Sequence, residues 1–315
     1  MTGRARRCSS TAGEDFASRR DDPQKCRKAA PKMGVHIAVL MTCHNRKAKT
    51  LNALATLSRQ RGLPPGVTVK VHLVDAGSED GTVAAVTREF PDADVTSVGT
   101  DVFWGEGMRI ASQRSGRFDY QMWLNDDVSL NETALTMLLA TSARLGGTAV
   151  VVGAMCSRGL RTTTYSGLRR QRGIAWRSGH LRTSLLDPSG TPQAVDACHG
   201  NVVLIPRSVH RRIGDIDAAF PHNMGDWDFS LRARKAGIGV YLAPEYAGVC
   251  ELNPALVGST EPGIGVREAL RRKLSKRELP FGPWRVFCLR HLLPWTPYSL
   301  FFPYIKVTAR AMLNR

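Results

Sequence analysis

A buried-looking run ends in two neighbouring carboxylates: Met122-Trp-Leu-Asn-Asp-Asp-Val128 places Asp126 and Asp127 where a strand would leave its sheet. Like charges side by side repel unless water, a proton or a cation separates them, and a divalent metal with its own ligands is the strongest such partner. A metal held there could grip a diphosphate. The competing reading is local. Ser129 and Glu132 are spaced as a capping box, and carboxylates near the start of a helix at Leu130 would each gain roughly 0.3–1 kcal/mol from its dipole.

The surrounding pattern tells what must hold this pair. Short β-branched runs alternate with helical ones: strands at 35–42, 69–75, 94–98 and 120–124, and helices at 48–61, 82–90 and 107–115. That alternation predicts an α/β fold with a parallel sheet. Another buried strand is expected at 149–153, after which the rhythm is lost. Strands at 200–206 and 240–243 then flank a helix over 226–236 that stops at Gly237, a favoured residue just past a helix end.

Open parallel sheets bind ligands outside the carboxyl ends of their strands. The candidates there are Thr42, His44, Asn45 and Arg46 after the first strand, Asp75 after the second, Trp104 and Gly105 after the third, and Asn125, Asp126 and Asp127 after the fourth. Each also has a structural reading. Asp75 to Gly81 suits a turn with Ser78 capping the next helix, His44 a surface histidine, and Trp104 a core residue.

Composition bounds the class. The 315 residues are 43% apolar, enough for a full core. Prolines 294, 297 and 303 and Lys306 interrupt the longest apolar stretch, so no spanning helix is expected. Seven widely spaced cysteines without a C-x-x-C pair read as free thiols in a reducing cytosol. Residues 1–33 are polar and aperiodic, an expected disordered basic extension in which Met33 offers an alternative start, with no secretory signal.

The net charge of +17 splits into +5 for residues 1–33, +3 for 34–265 and +9 for 266–315. Arg271, Arg272, Lys273, Lys276 and Arg277 beside Phe281, Trp284, Phe287 and Trp295 suit either an anionic membrane surface or a solvated tail. No nucleic-acid motif accompanies the charge, so nucleic acid is not expected as a partner. Between Thr133 and Leu186 there is no acidic residue, while Arg158, Arg161, Arg169, Arg170, Arg172, Arg177 and Arg182 accumulate. This segment reads as an exposed hairpin or as a surface for anionic groups.

Four stretches together resemble the successive motifs of family 2 glycosyltransferases with the GT-A fold, in particular rhamnosyltransferase-like enzymes of bacterial cell-surface polysaccharide synthesis. They are 41–46 (MTCHNR), 74–82 (VDAGSEDGT), 123–128 (WLNDDV) and 225–237 (GDWDFSLRARKAG), within a match over about 35–246. The resemblance implies a GT-A domain over 34–250, with a nucleotide-binding half (34–128) and an acceptor half (129–250), followed by a helical, basic, aromatic segment (251–315). It implies a nucleotide-diphosphate sugar donor, with Thr42, His44, Asn45, Arg46, Asp75, Trp104, Gly105 and Asp126 on the donor side. Mg²⁺ or Mn²⁺ would be held by Asp127. Asp226 corresponds to the catalytic carboxylate that takes the acceptor's proton; Asp228, about 200° away on a helix, reads as structural. Ala76 and Asn125 stand where many relatives carry a hydrogen-bonding or acidic residue.

The function expected is inverting transfer of a sugar to a glycan or lipid-linked acceptor, in the cytoplasm or peripherally on the inner face of the membrane. The rival readings are a sugar nucleotidyltransferase, for which residues 42–49 lack glycines, and a non-catalytic binding protein.

Overall fold

The computed structural model describes residues 34–159, 162–170, 183–253, 258–293 and 296–313. The expected extension over 1–33, Cys8, Cys26, Arg161, Arg172, Arg177, Arg182, Pro294 and Trp295 lie outside the described residues.

From the first described residue the chain runs β1 (His36–Cys43), α1 (Lys47–Ser58), β2 (Thr68–Asp75), α2 (Thr82–Glu89), β3 (Asp94–Ser97), α3 (Trp104–Arg114) and β4 (Tyr120–Leu124). It continues through β5 (Ser129–Leu130), α4 (Ala134–Arg144), β6 (Val150–Cys156), β7 (Thr163–Tyr165), β8 (Gly167–Arg170), β9 (Thr183–Leu185), β10 (Gln193–Ala194), β11 (Ala197–Cys198) and β12 (Val202–Pro206). It ends with α5 (Arg207–Ile213), α6 (Gly225–Lys235), β13 (Val240–Val249), α7 (Val266–Lys273), α8 (Phe281–His291) and α9 (Thr296–Leu313).

The main sheet has the order β10-β13-β6-β12-β4-β1-β2-β3, with β5 paired to β13 and β7 to β6. Alternate residues of β1 feed opposite layers. Ile37, Val39 and Met41 pack with Leu54 of α1 and Leu135 of α4, whereas Ala38 and Leu40 pack with Met108 of α3 and Phe229 of α6. Burial on both faces is why β1 reads as a continuous apolar run rather than an alternating one.

The sheet is mostly parallel, with β12 running antiparallel to both β4 and β6. The chain reaches β12 through the short strands β7 to β11, not through a helical crossover of the kind a parallel pair needs. Residues 129–132 do not open the expected helix. Leu130 and Ser129 pair with Gly248 and Val249 of β13, Ser129 Oγ accepts from Asn52, and Glu132 forms an ion pair with Arg61. With that backbone committed to the sheet, α4 starts only at Ala134, and Asp126 and Asp127 are not helix-terminal carboxylates.

Helix α3 begins at Trp104, about a turn before the expected start at Gly107. Gly105 and Gly107 serve close approach: a Cβ at 105 would lie 2.2 Å from the Phe220 carbonyl, and one at 107 would lie 2.6 Å from Thr42 Oγ1. Gly237 does follow the end of α6 in the left-handed region, with φ +73°.

The C-terminal aromatics are also placed differently from the expectation of a membrane face. Trp284 and Phe287 of α8 are buried at 5% and 2% exposure and pack with Phe220. The basic cluster beside them is partly neutralised, since Arg271 and Arg272 both pair with Glu268 and Lys273 pairs with Glu278. Among the described residues, Cys43, Cys156, Cys198, Cys250 and Cys288 are free thiols, and no helix is long and apolar enough to cross a membrane. In the arginine-rich segment, Arg169 and Arg170 stand exposed on β8, part of a small sheet ordered β11-β8-β9.

Candidate active site

The carboxyl ends of β1 and β2 are tied into one rigid floor. His44 Nδ1 donates to the Ala76 carbonyl at 2.7 Å, and Ala76 N–H donates to the Cys43 carbonyl at 2.9 Å. Asn45 adopts a left-handed conformation with φ 50°. That bend lets its N–H reach Ser78 Oγ and its side-chain oxygen accept from Glu79 N–H, both at 2.8 Å.

Asp75 is buried, taking a hydrogen bond from Ser78 N–H at 2.9 Å and one from the Cys43 thiol at 3.4 Å. Ser78 therefore does not cap α2. The N-cap of α2 is Gly81, without a side-chain bond, and Asp80 just before it accepts from Thr82 N–H at 3.1 Å and from Lys47 N–H at 2.9 Å. Thr42 lies under α3 against Gly107, its Oγ1 buried without a hydrogen-bond partner.

At the end of β4 the two carboxylates meet Arg46. Its Nη1 donates to Asp126 Oδ1 and to Asp127 Oδ2, each at 3.1 Å, and both aspartate side chains are only 7% exposed. Asp127 Oδ1 also accepts from the Cys250 thiol at 3.5 Å. Burial pushes Asp126 up to about 6, a rise that the Arg46 charge opposes and the neighbouring Asp127 reinforces. Asn125 Oδ1 is held by the Trp104 indole N–H at 2.8 Å, and Trp104 stands edge-on to Trp123 with ring centroids 6.0 Å apart.

The hard oxygen donors of Asp126 and Asp127 fit Mg²⁺ or Mn²⁺, ions held at phosphate sites by one or two carboxylates plus phosphate oxygens. Among the described residues no group of three or more His, Cys, Asp or Glu side chains converges as a complete metal cage. The remaining ligands would have to come from the substrate or water.

Asp226 occupies the first turn of α6. Its Oδ2 accepts from Gly200 N–H at 3.0 Å and its Oδ1 from Trp227 N–H at 2.9 Å. Burial raises its proton affinity, an effect that the nearby His199 and these backbone donors oppose only in part. Asp228 faces the other way, as its position on the helix requires. It is fully buried, bonded to Arg232 at 2.7 Å, His291 at 2.8 Å and Arg290 at 3.2 Å. Burial pushes Asp228 up, but the hydrogen bonds from His291 and Arg232 outweigh it and leave the group below the usual carboxylate range. This cluster fastens α8 to α6.

Two cavities meet at the site. One, of about 460 Å³, is lined by Trp104, Asn125, His199, Asp226, Trp227 and Trp284 among others. The second, of about 330 Å³, is lined by Lys49, Asn52, Asp127, Arg158 and Cys250 among others, and Asn253 borders both. The structure thus brings Asp226, Trp104 and Asn125 to one chamber and Asp127 to the other. Gly105 is buried against the Phe220–Pro221 backbone instead.

Sequence reasoning missed His199, Gly200 and Asn201, which stand just before β12. Because β12 is antiparallel, its beginning lies beside the ends of its parallel neighbours, and Asn125 N–H donates to the Asn201 carbonyl at 3.0 Å. The signal was the polar Cys-His-Gly-Asn step before an apolar strand, read without knowledge of direction. The C-terminal wall formed by Trp284 and Phe287 was also missed.

A floor at the ends of β1 and β2, a paired carboxylate at the end of β4 and a half-buried aspartate opening α6 sit on a GT-A glycosyltransferase architecture. The family described as Glycosyltransferase like family 2 matches residues 34–278, and the chain belongs to it. Among solved structures, a crystal structure of GalNAc-T7 with UDP, GalNAc and Mn2+ shares the fold, with a TM-score of 0.57 and 12% sequence identity over 89% of this chain. This chain spans about half of that one, 55% of its length. No curated protein matches the sequence.

Proposed function

We propose that the protein is an inverting, metal-dependent glycosyltransferase that moves a hexose from a nucleotide-diphosphate sugar to a hydroxyl of a glycan or lipid-linked acceptor, in cell-surface polysaccharide synthesis. The observation that carries this reading is the placement of Asp226 in the same cavity as Trp104 and Asn125, the residue that directly precedes the Asp126–Asp127 pair. This reading assigns Thr42, His44, Asn45 and Asp75, at the carboxyl ends of β1 and β2, to the nucleotide. The aromatic walls Trp104, Trp227 and Trp284 suit the apolar faces of sugar rings.

In this reading Asp226 accepts the proton of the attacking hydroxyl. Its two oxygens are pinned by Gly200 and Trp227, which fixes the carboxylate's direction and leaves lone pairs for the acceptor. Its raised proton affinity brings it closer to the operating pH, which favours base catalysis. A divalent ion at Asp127, with Asp126 beside it, would supply charge neutralisation for the departing diphosphate. The Mn2+ and UDP in the GalNAc-T7 structure support that choice of cofactor and donor class.

Membrane contact has a different basis from the one the sequence suggested. Phe301, Ile305 and Met312 of α9 are 52%, 63% and 61% exposed and share one helical face by their spacing. Arg285 of α8 and Lys306 and Arg310 of α9 are exposed as well, though not on that same face. Exposed apolar side chains on a helix that also carries cations suit an anionic bilayer surface, and peripheral attachment to the inner face would bring the site to a lipid-linked acceptor.

The test is a thermal-shift and nucleotide-release screen of nucleotide-diphosphate sugars with and without Mn²⁺. Stabilisation by one donor class only in the presence of metal is expected, because a ligand of the folded state raises its stability. Indifference to every donor, with or without metal, would overturn the proposal.

A further inference from the structure

We propose that Arg46 is an internal counter-cation: it holds the Asp126–Asp127 pair until a divalent metal displaces it, and then pairs with the donor's diphosphate. The inference rests on the donor and metal reading above and extends it to a residue whose side chain would have to move.

Both carboxylates are almost shut from water, so their charge needs a partner inside the protein. Arg46 is the cation hydrogen-bonded to them among the described residues, with one nitrogen bridging an oxygen of each at 3.1 Å. A metal bound to those same oxygens would meet a guanidinium of like charge already in contact with them. The two cations are therefore alternatives.

The geometry permits the exchange. The backbone of Arg46 is fixed at the start of α1, where its carbonyl accepts from Thr50 N–H at 2.9 Å. Its side chain is 40% exposed, against 7% for the aspartates, so the stem can turn without disturbing the floor. On release, the planar fork of a guanidinium matches two phosphate oxygens. The cavity beside Asp127, lined by Lys49 and Arg158, already presents positive charge to such an anion.

The test measures Mn²⁺ binding to the full chain by electron paramagnetic resonance, first without nucleotide and then with UDP as the probe. Without nucleotide, Arg46→Gln is expected to bind Mn²⁺ about tenfold more tightly than wild type, because the metal-competent fraction rises when the competitor is removed. Arg46→Lys, which keeps a charge on a shorter side chain without the planar guanidinium, is expected to fall between them and serves alone if the glutamine variant does not fold. With UDP present, wild type should gain more Mn²⁺ affinity than Arg46→Gln, since only its arginine finds a new partner.

Mn²⁺ affinity in the folded variants that equals or falls below that of wild type would overturn the proposal. Sugar transfer is read separately. A wild-type chain that transfers no sugar, while the variants gain Mn²⁺ affinity, sinks the transferase reading and keeps the role of Arg46; transfer without that gain does the reverse.

Discussion

Gly200 donates its backbone N–H to Asp226 Oδ2 across 3.0 Å, a bond between the turn two residues before β12 and the first turn of α6. A Cβ on Gly200 would lie 2.6 Å from the Trp104 ring, so this backbone can approach both the carboxylate and the indole only as glycine. The proposed base is thus oriented from the sheet and not by its own helix alone.

Replacing Asp226 by Asn keeps the shape and one acceptor oxygen but removes the proton acceptor. Transfer is expected to fall by about 10²–10⁴-fold, the usual contribution of a general base, while donor binding persists. Steady-state rates beside calorimetric donor affinities check this, and undiminished turnover would refute the assignment.

The pH dependence has a definite sign. Asp226 acts only as a carboxylate, and burial raises its proton affinity. Turnover should therefore be lost, as pH falls, at a value above the ordinary aspartate pKa of about 3.9. A kcat profile whose acid limb sits at or below that value would contradict the role.

Asp228 should govern stability. Removing it as Asp228→Ala leaves Arg232, Arg290 and His291 facing a buried gap, at a cost of about 3–5 kcal/mol, or roughly 10 °C in Tm for a domain of this size. Because its folded pKa is depressed, its contribution is complete above the unfolded carboxylate value and is lost as pH falls through the lower folded one. Melting curves of both proteins at neutral and acid pH test this, and the gap between them should narrow in acid.

Membrane attachment should reside in α9. The double change Phe301→Ser with Ile305→Ser is expected to weaken co-sedimentation with anionic vesicles while leaving the melting temperature nearly unchanged, since both side chains are exposed. Equal sedimentation of both proteins would remove α9 from that role.

The first half of the fold was legible because β1 and β4 are apolar runs buried on both faces and the strands alternate with helices. β1, β2, β3 and β4 fall within one residue of their expected ends. The errors lie where a local signal met a partner distant in sequence. Ser129 and Glu132 carry the spacing of a helix cap, but pairing of residues 129–130 with β13 claims that backbone. The helix expected from 107 starts a turn earlier, at Trp104, where Gly105 and Gly107 let α3 pack against the Phe220 carbonyl and Thr42.

By itself the sequence determined the residue types and their order: oxygen-rich ends on apolar strands, two carboxylates after β4, and an aspartate opening a helix about a hundred residues later. Tertiary structure decided which of these groups meet. It set Arg46 between the two carboxylates, reversed β12 so that its start joins the site, and turned Trp284 inward as a wall instead of outward as a membrane contact. The reason is physical. Charge pairing and cavity lining depend on distances between segments far apart in sequence, and the local periodicities of a chain do not encode them.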